Sequence, residues 1–279
     1  MPVALVAGAS SGLGRAVARR LAADGWRTYA GARAFACGEA PPEGCQAVPL
    51  DVTDGASVSD CVRRVLDAEG RIDALVNCAA LLTLGSGEET SVEEIRRVLD
   101  TNFLGAVRMV QAVLPAMRAQ GGGRIVQFSS LNGLFGIPFQ GAYTASKHAL
   151  EGWSECLAME TRPFGVQVTL VAPGDCRGGS DAYRLHARAA GLEGSPYAAS
   201  YAGACARIRA DESGGLPPER VARAVSRALR RRRPPARIIV AGPDQRLAAW
   251  LHDLLPGHWF YRILSLIHIS EPTRLDVIS

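Results

Sequence analysis

The chain has 279 residues, 48% of them hydrophobic, which is enough for one domain around a large core. A net charge of +4 at pH 7 calls for no nucleic-acid or other polyanionic partner, and neither the five histidines nor the seven cysteines have metal-ligand spacing. The cysteines are odd in number and form no Cys-x-x-Cys pair, as reduced thiols in a cytoplasmic protein would be.

Val3 to Ala7 is apolar but too short for a signal peptide, and it reads as a first strand. It runs into Gly8-Ala9-Ser10-Ser11-Gly12-Leu13-Gly14, which opens a helix over about 12–24. Glycines at that place allow a tight turn and close backbone approach to a pyrophosphate. The helix N-terminus adds free N–H groups and a positive dipole end. Gly8, Ser10, Ser11, Gly12, Leu13 and Gly14 are therefore candidate cofactor residues; a purely structural turn is the alternative. The second strand, about 27–31, decides the cofactor variant. It ends Tyr29-Ala30-Gly31-Ala32-Arg33, with no carboxylate to hold a ribose 2′-hydroxyl. Arg33 can fork onto a 2′-phosphate, which points to NADP; the bland reading is a solvated loop arginine.

Further strands are expected at about 46–50, 73–77, 124–129, 166–171 and 237–241. Helices are expected between them at about 57–69, 91–118, 143–161 and 217–233. Ser91 and Glu94 make a capping box for the long helix, and Pro217-Pro218 starts the last one. Such alternation means βαβ units on a parallel sheet, an α/β fold of the doubly wound Rossmann type in a single domain over residues 1–263. Residues 175–215 are too long for an ordinary loop and read as a substrate lid, or as short helices that only pack. Arg230 to Arg233 reads as a solvated helix end. Residues 247–263 are fairly apolar but interrupted by Asp253, Pro256 and Arg262. Packing over the substrate site or a subunit interface is expected there rather than peripheral membrane contact. Residues 264–279 read as the in-frame translation of a sequencing-library adapter, with a natural amphipathic tail as the alternative.

Lys147 is the only lysine among thirty-one Lys and Arg residues, and it lies four residues after Tyr143. On a helix the two share a face. An ammonium beside a phenol is expected to lower the tyrosine pKa, making Tyr143 a general acid/base.

Together, the glycine turn, the alternation and the Tyr143–Lys147 pair resemble the short-chain dehydrogenase/reductase family over roughly residues 3–241. The stretches Gly133-Leu134-Phe135-Gly136-Ile137-Pro138-Phe139 and Tyr143 through Gly152 are most similar to its 17β-hydroxysteroid and retinol dehydrogenase branch. The resemblance implies a catalytic set of Ser130, Tyr143, Lys147 and Asn102. Ser130 would bond the substrate oxygen and Tyr143 exchange its proton. Lys147 would tune Tyr143 and bind the nicotinamide ribose, and Asn102 would anchor a relay water. The same resemblance gives Asp51 and Val52 to the adenine, and Asn77 and Ala79 to the segment beside it. It gives Pro173, Gly174 and Cys176 to the nicotinamide. Ala7, Cys78, Ala80 and Gly178 depart from the family pattern of Thr, Asn, Gly and Thr.

The expected activity is NADP(H)-dependent hydride transfer to a carbonyl or from a secondary alcohol, in a homodimer or tetramer. Few charges in 134–141 and 192–206 favour an apolar substrate, steroid-, retinoid- or aryl-ketone-like, although Arg184, His186 and Arg188 could meet an acid. An epimerase or lyase of the same fold and a non-catalytic NADP sensor are the rivals.

Overall fold

The run Val3–Ala7 forms β1, buried at every residue between two parallel neighbours, β2 (Arg27–Ala32) and β4 (Ala74–Asn77). The computed structural model describes residues 1–178, 180 and 183–268. Seven parallel strands make the sheet, in the order β3-β2-β1-β4-β6-β7-β9. The others are β3 (Cys45–Pro49), β6 (Gly123–Phe128), β7 (Val166–Pro173) and β9 (Arg237–Val240). All seven lie where the apolar runs place them. Strands covered on both faces read as continuous apolar runs rather than alternating ones.

Register sorts the side chains into two layers. Leu5, Leu75, Ile125 and Val168 are cross-strand neighbours on one face, packed under α2 (Gly55–Glu69) and α4 (Gly105–Ala119). Val6, Val76 and Val126 point the other way, onto α1 (Gly12–Ala23) and α7 (Pro218–Arg230). The chain leaves β1 towards β2 on one side and reaches β4 on the other. That reversal opens a crevice at the carboxyl ends of β1 and β4, where α/β sheets bind ligands.

Four regions differ from or refine the sequence reading. The helix expected over 91–118 is two helices, α3 (Val92–Leu99) and α4, joined by a wide π-type turn at Asp100–Leu104. Asn102 sits in that turn. Its side chain accepts from the Leu81 N–H at 2.7 Å and donates to the Leu81 carbonyl at 2.9 Å, drawing the backbone out of the α ladder. In the 175–215 stretch, β8 (Arg184–His186) pairs with β5 (Leu82–Leu84) in a small second sheet, and α6 (Ala198–Gly214) follows. The basic run is only partly helical: α7 ends at Arg230, which pairs with Asp24 at 3.0 Å. The apolar stretch beyond β9 becomes α8 (Pro243–Leu254) and α9 (Gly257–His268). Ala249, Phe260 and Leu264 pack there against Leu131 and Phe135. Of the segment read as adapter-derived, residues 269–279 lie outside the described residues. No helix among the described residues is long and apolar enough to cross a membrane.

Candidate functional site

A cavity of about 580 Å³ opens at the crevice, running from the glycine turn to α6 and α8. At the turn, Gly8 and Gly12 adopt φ of 81° and 52°, which side chains rarely tolerate. A Cβ on Gly14 would come within 2.0 Å of the Gly8 carbonyl, and one on Gly8 within 2.5 Å of the Ala79 nitrogen. Glycine is therefore required for α1, the turn and residues 78–79 to touch. No side chain caps α1, and Gly12, Leu13 and Gly14 line the cavity, so first-turn N–H groups remain for an anion. Such a cradle fits a pyrophosphate.

Ser10, Ser11, Ala32 and Arg33 line the same end, with the Arg33 side chain exposed at its mouth. Asp51 and Val52 form the wall opposite. Thr53 donates to Asp51 Oδ1 from its N–H at 2.9 Å and its hydroxyl at 2.7 Å. Burial pulls the Asp51 carboxyl upward, but these bonds and the charges of Arg33 and Arg108 outweigh it and leave the pKa below its usual value. Val52 is held from behind, since a Cβ on Gly105 would lie 2.8 Å from its methyl.

At the middle of the cavity, α5 (Gly141–Thr161) presents Tyr143 and Lys147 on its buried face. Ser130, at the end of β6, has a hydroxyl in side-chain hydrogen-bonding contact with Tyr143. Lys147 is 2% exposed; its Nζ donates to the Phe128 carbonyl at 2.6 Å and lies 5.3 Å from the Tyr143 ring centroid. The expected depression of the tyrosine is not what the fold produces. Burial pushes the Tyr143 phenol up to about 12, against the Ser130 hydrogen bond, with the Glu212 charge adding to the rise. Burial likewise brings Lys147 down to about 8, partly opposed by Cys78 and Glu151. The lysine donates to a carbonyl and lies over the Tyr143 ring. Tyr143 thus holds its proton at neutral pH.

Asn102 does not line the cavity. Besides Leu81, it donates to Ser146 Oγ at 3.0 Å, and Ser146 in turn donates to the Tyr143 carbonyl at 2.7 Å. It braces α5 at the level of Tyr143.

A model of the short chain dehydrogenase family matches residues 2–189. The chain belongs to that family. Over 95% of its length it is 35% identical to a 3-ketodihydrosphingosine reductase of Bacteroides thetaiotaomicron, covering 97% of that protein. It is 42% identical to human 17-beta-hydroxysteroid dehydrogenase type 1 over 62% of this chain and 56% of that one. A short-chain dehydrogenase structure from Streptomyces avermitilis superposes with a TM-score of 0.76 at 33% identity, covering 95% and 96% of the two chains. An alcohol dehydrogenase from Thermococcus sibiricus, complexed with 5-hydroxy-NADP, gives 0.68 at 26% identity, covering 87% and 97%.

This short-chain dehydrogenase carries two features that sequence reasoning missed. Asn132, two residues past Ser130, accepts from the Ser130 hydroxyl at 3.2 Å and donates to Gln140 at 3.2 Å and Thr144 at 3.1 Å. It orients the serine from a short turn that no spacing rule singles out. The second is an acidic wall. Asp175 follows β7, Asp211 and Glu212 sit on α6, and Asp244 opens α8; all four line the cavity. Gln245 donates to the Asp175 carboxylate, and a Cβ on Gly174 would clash with the Gln245 amide at 2.0 Å. Arg207 pairs with Asp211 at 2.8 Å, and Arg184 with Glu212. Burial first, then Asp211, Glu212 and Asp244, push Asp175 up to about 6. The substrate end is less apolar than segments 134–141 and 192–206 imply.

Pro173, Gly174 and Cys176 line the cavity with Tyr143, whereas Gly178, with φ of 60°, does not. Asn77 does not line the cavity; it is buried and donates to Gln127 at 2.9 Å, while its Oδ1 has no hydrogen-bond partner beside the register neighbour Ala7. A threonine hydroxyl at position 7 would reach that neighbourhood.

Proposed function

We propose that this dehydrogenase moves a hydride between NADP(H) and the carbonyl carbon of a largely apolar ketone or secondary alcohol. One observation carries the reading: Ser130, Tyr143 and Lys147 share a single cavity with the glycine cradle, Ala32 and Arg33. Gly8, Ser10 to Gly14 and the first turn of α1 would hold the pyrophosphate. Arg33 would fork onto the 2′-phosphate, Asp51 and Val52 would meet the adenine, and Ala79 the adjoining ribose. Pro173, Gly174, Cys176 and Lys147 would flank the nicotinamide end, with Asn77 supporting from behind. Nicotinamide, when bound, supplies or accepts the hydride.

The chain's own part is position and proton transfer. Ser130, oriented by Asn132, would turn its hydroxyl proton from Asn132 Oδ1 to the substrate oxygen. Tyr143, protonated at neutral pH, gives its proton to that oxygen in reduction and takes one back in oxidation. Lys147 supplies positive charge beneath the ring, and Asn102 fixes the helix that carries both. The described part of 175–215, with β8 and α6, would cover the substrate as a lid. A homodimer in the cytoplasm is the expected working state.

A narrower reading is favoured by the acidic wall. The Bacteroides relative is named for 3-ketodihydrosphingosine, a long-chain ketone with an amine beside the carbonyl. Asp175, Asp211 and Glu212 line the same cavity as Tyr143 and would receive such an ammonium.

The test follows absorbance at 340 nm with NADPH and NADH against a panel of 3-ketodihydrosphingosine, a keto-steroid, retinal and an aryl ketone. Hydride transfer with NADPH preferred is expected, with the amino ketone ahead. Cofactor binding without turnover across the panel would favour the sensor. Substrate conversion without net cofactor change would favour the epimerase or lyase.

A further inference from the structure

Tyr143, Lys147 and Glu151 fall at i, i+4 and i+8 on α5, and all three are buried; Glu151 is 5% exposed. A carboxylate so deep in a core is costly unless something holds it. Arg237 on β9 does: its Nε and terminal nitrogen donate to Glu151 Oε2 at 3.0 and 2.6 Å, and it also bonds the exposed Glu155 at 3.0 Å. The other oxygen, Oε1, is buried with no hydrogen-bond partner. It lies against the turn at 129–133, where a Cβ on Gly133 would meet Glu151 Cγ at 3.0 Å and Oε1 at 3.3 Å. That turn carries Ser130 and follows directly on Phe128, whose carbonyl holds Lys147. One oxygen is thus anchored to the sheet, and the other leans on the shelf beneath the reacting groups.

We propose that Glu151, locked in place by Arg237, is a positioning residue that keeps the Lys147 ammonium charged and seated on the Phe128 carbonyl. The proposal rests on the reading of Lys147 as part of the catalytic set. Its logic is electrostatic. A buried ammonium tends to lose its proton, and an opposite charge one helical turn away resists that loss. The groups facing Lys147 are Tyr143 and Glu151 on its own helix and Cys78 from the end of β4; those facing Glu151 are Lys147, and Arg237 from β9 with Glu155 behind it. Burial pushes the Cys78 thiol well up, so it stays neutral and Glu151 is the anion that counts.

The chain's single lysine makes a direct test possible. Protein grown with lysine labelled at the ε carbon gives one lysine resonance, whose shift with pH titrates Lys147 without substrate or cofactor. The wild-type midpoint is expected near 8. Glu151→Gln should lower it by about one pH unit, the scale of one nearby charge at an intermediate dielectric. Glu155→Gln should leave it in place, and Glu151→Asp should restore part of the shift. If Glu151→Gln does not fold, Glu151→Met, which fills similar space without a charge, serves instead and should lower the midpoint likewise. An unmoved midpoint in whichever of the two charge-removing Glu151 variants folds overturns the proposal. Such a failure stays separate from failure of the proposed function, which turnover of Tyr143→Phe decides.

Discussion

At the cofactor end of the cavity, residues 8–14 and 31–33 act mostly through backbone, held by consecutive elements of one βαβ unit. At the substrate end, Asp175, Asp211, Glu212, Asp244 and Gln245 reach the same cavity from β7, α6 and α8, elements far apart in the chain. The first end depends on close approach that only glycine permits; the second depends on side chains whose charges oppose one another. The difference teaches where each property resides. The glycine cradle is written into a short stretch of backbone, whereas the acidic wall emerges from tertiary assembly. Tyr143 and Lys147 stand between the two ends.

The strongest way to separate the ends is to remove the proton that links them. Tyr143→Phe should lower turnover by at least about 10²-fold, the lower range for a positioned acid/base. NADPH affinity should be nearly unchanged, because the glycine cradle does not use the phenol. Near-normal turnover would show that proton transfer lies elsewhere. Lys147→Arg keeps the charge but enlarges a side chain that is 2% exposed. A planar fork cannot sit as a compact ammonium does on one carbonyl, and a loss of about 10–100-fold in kcat/KM is expected. Full activity in the arginine variant would make the lone lysine an accident of composition.

At the cofactor end alone, Arg33→Ala should weaken NADPH and spare NADH. A lost charge-assisted bond is worth roughly 1.5–3 kcal/mol, or about tenfold to a hundredfold in affinity. Fluorescence titration with both cofactors reads this directly. Equal weakening of both would mean that Arg33 supports the turn rather than a 2′-phosphate.

The same comparison explains what was legible in the sequence. The seven strands could be placed because a sheet buried on both faces writes largely apolar runs, such as Val3–Ala7 and the first three residues of Ala74–Asn77. The glycine turn could be read because its steric demand leaves no alternative residue at Gly8 or Gly14. Asn102 was placed correctly in the chain, but its wide turn was hidden, since the deformation comes from the backbone of Leu81, twenty-one residues away. The direction of the Tyr143 shift was misread because helical spacing gives proximity to Lys147 but not burial, and burial dominates. Asn132 and the acidic wall were invisible for a related reason: nothing local marks Asp175 and Glu212 as neighbours.

The smallest effect expected concerns the strain held in that wall. The Asp175 carboxyl sits at about 6 in the folded protein against an ordinary 3.8, raised by burial and by neighbouring acids. A raised carboxyl binds its proton more tightly folded than unfolded. Its contribution is therefore favourable below about 4, declines as pH rises towards 6, and is a net cost above that. Asp175→Asn removes the charge and keeps an oxygen for the Gln245 amide. The variant should match wild type near pH 4 and exceed it at pH 7 by on the order of 1 kcal/mol, after allowance for partial solvent screening. Urea unfolding at the two pH values measures the difference. The gain should shrink when a cationic amino ketone is present, since an ammonium beside wild-type Asp175 relieves the same repulsion. If the variant gains nothing at pH 7, the acids are relaxed by solvent, and the substrate end is no more strained than the glycine cradle.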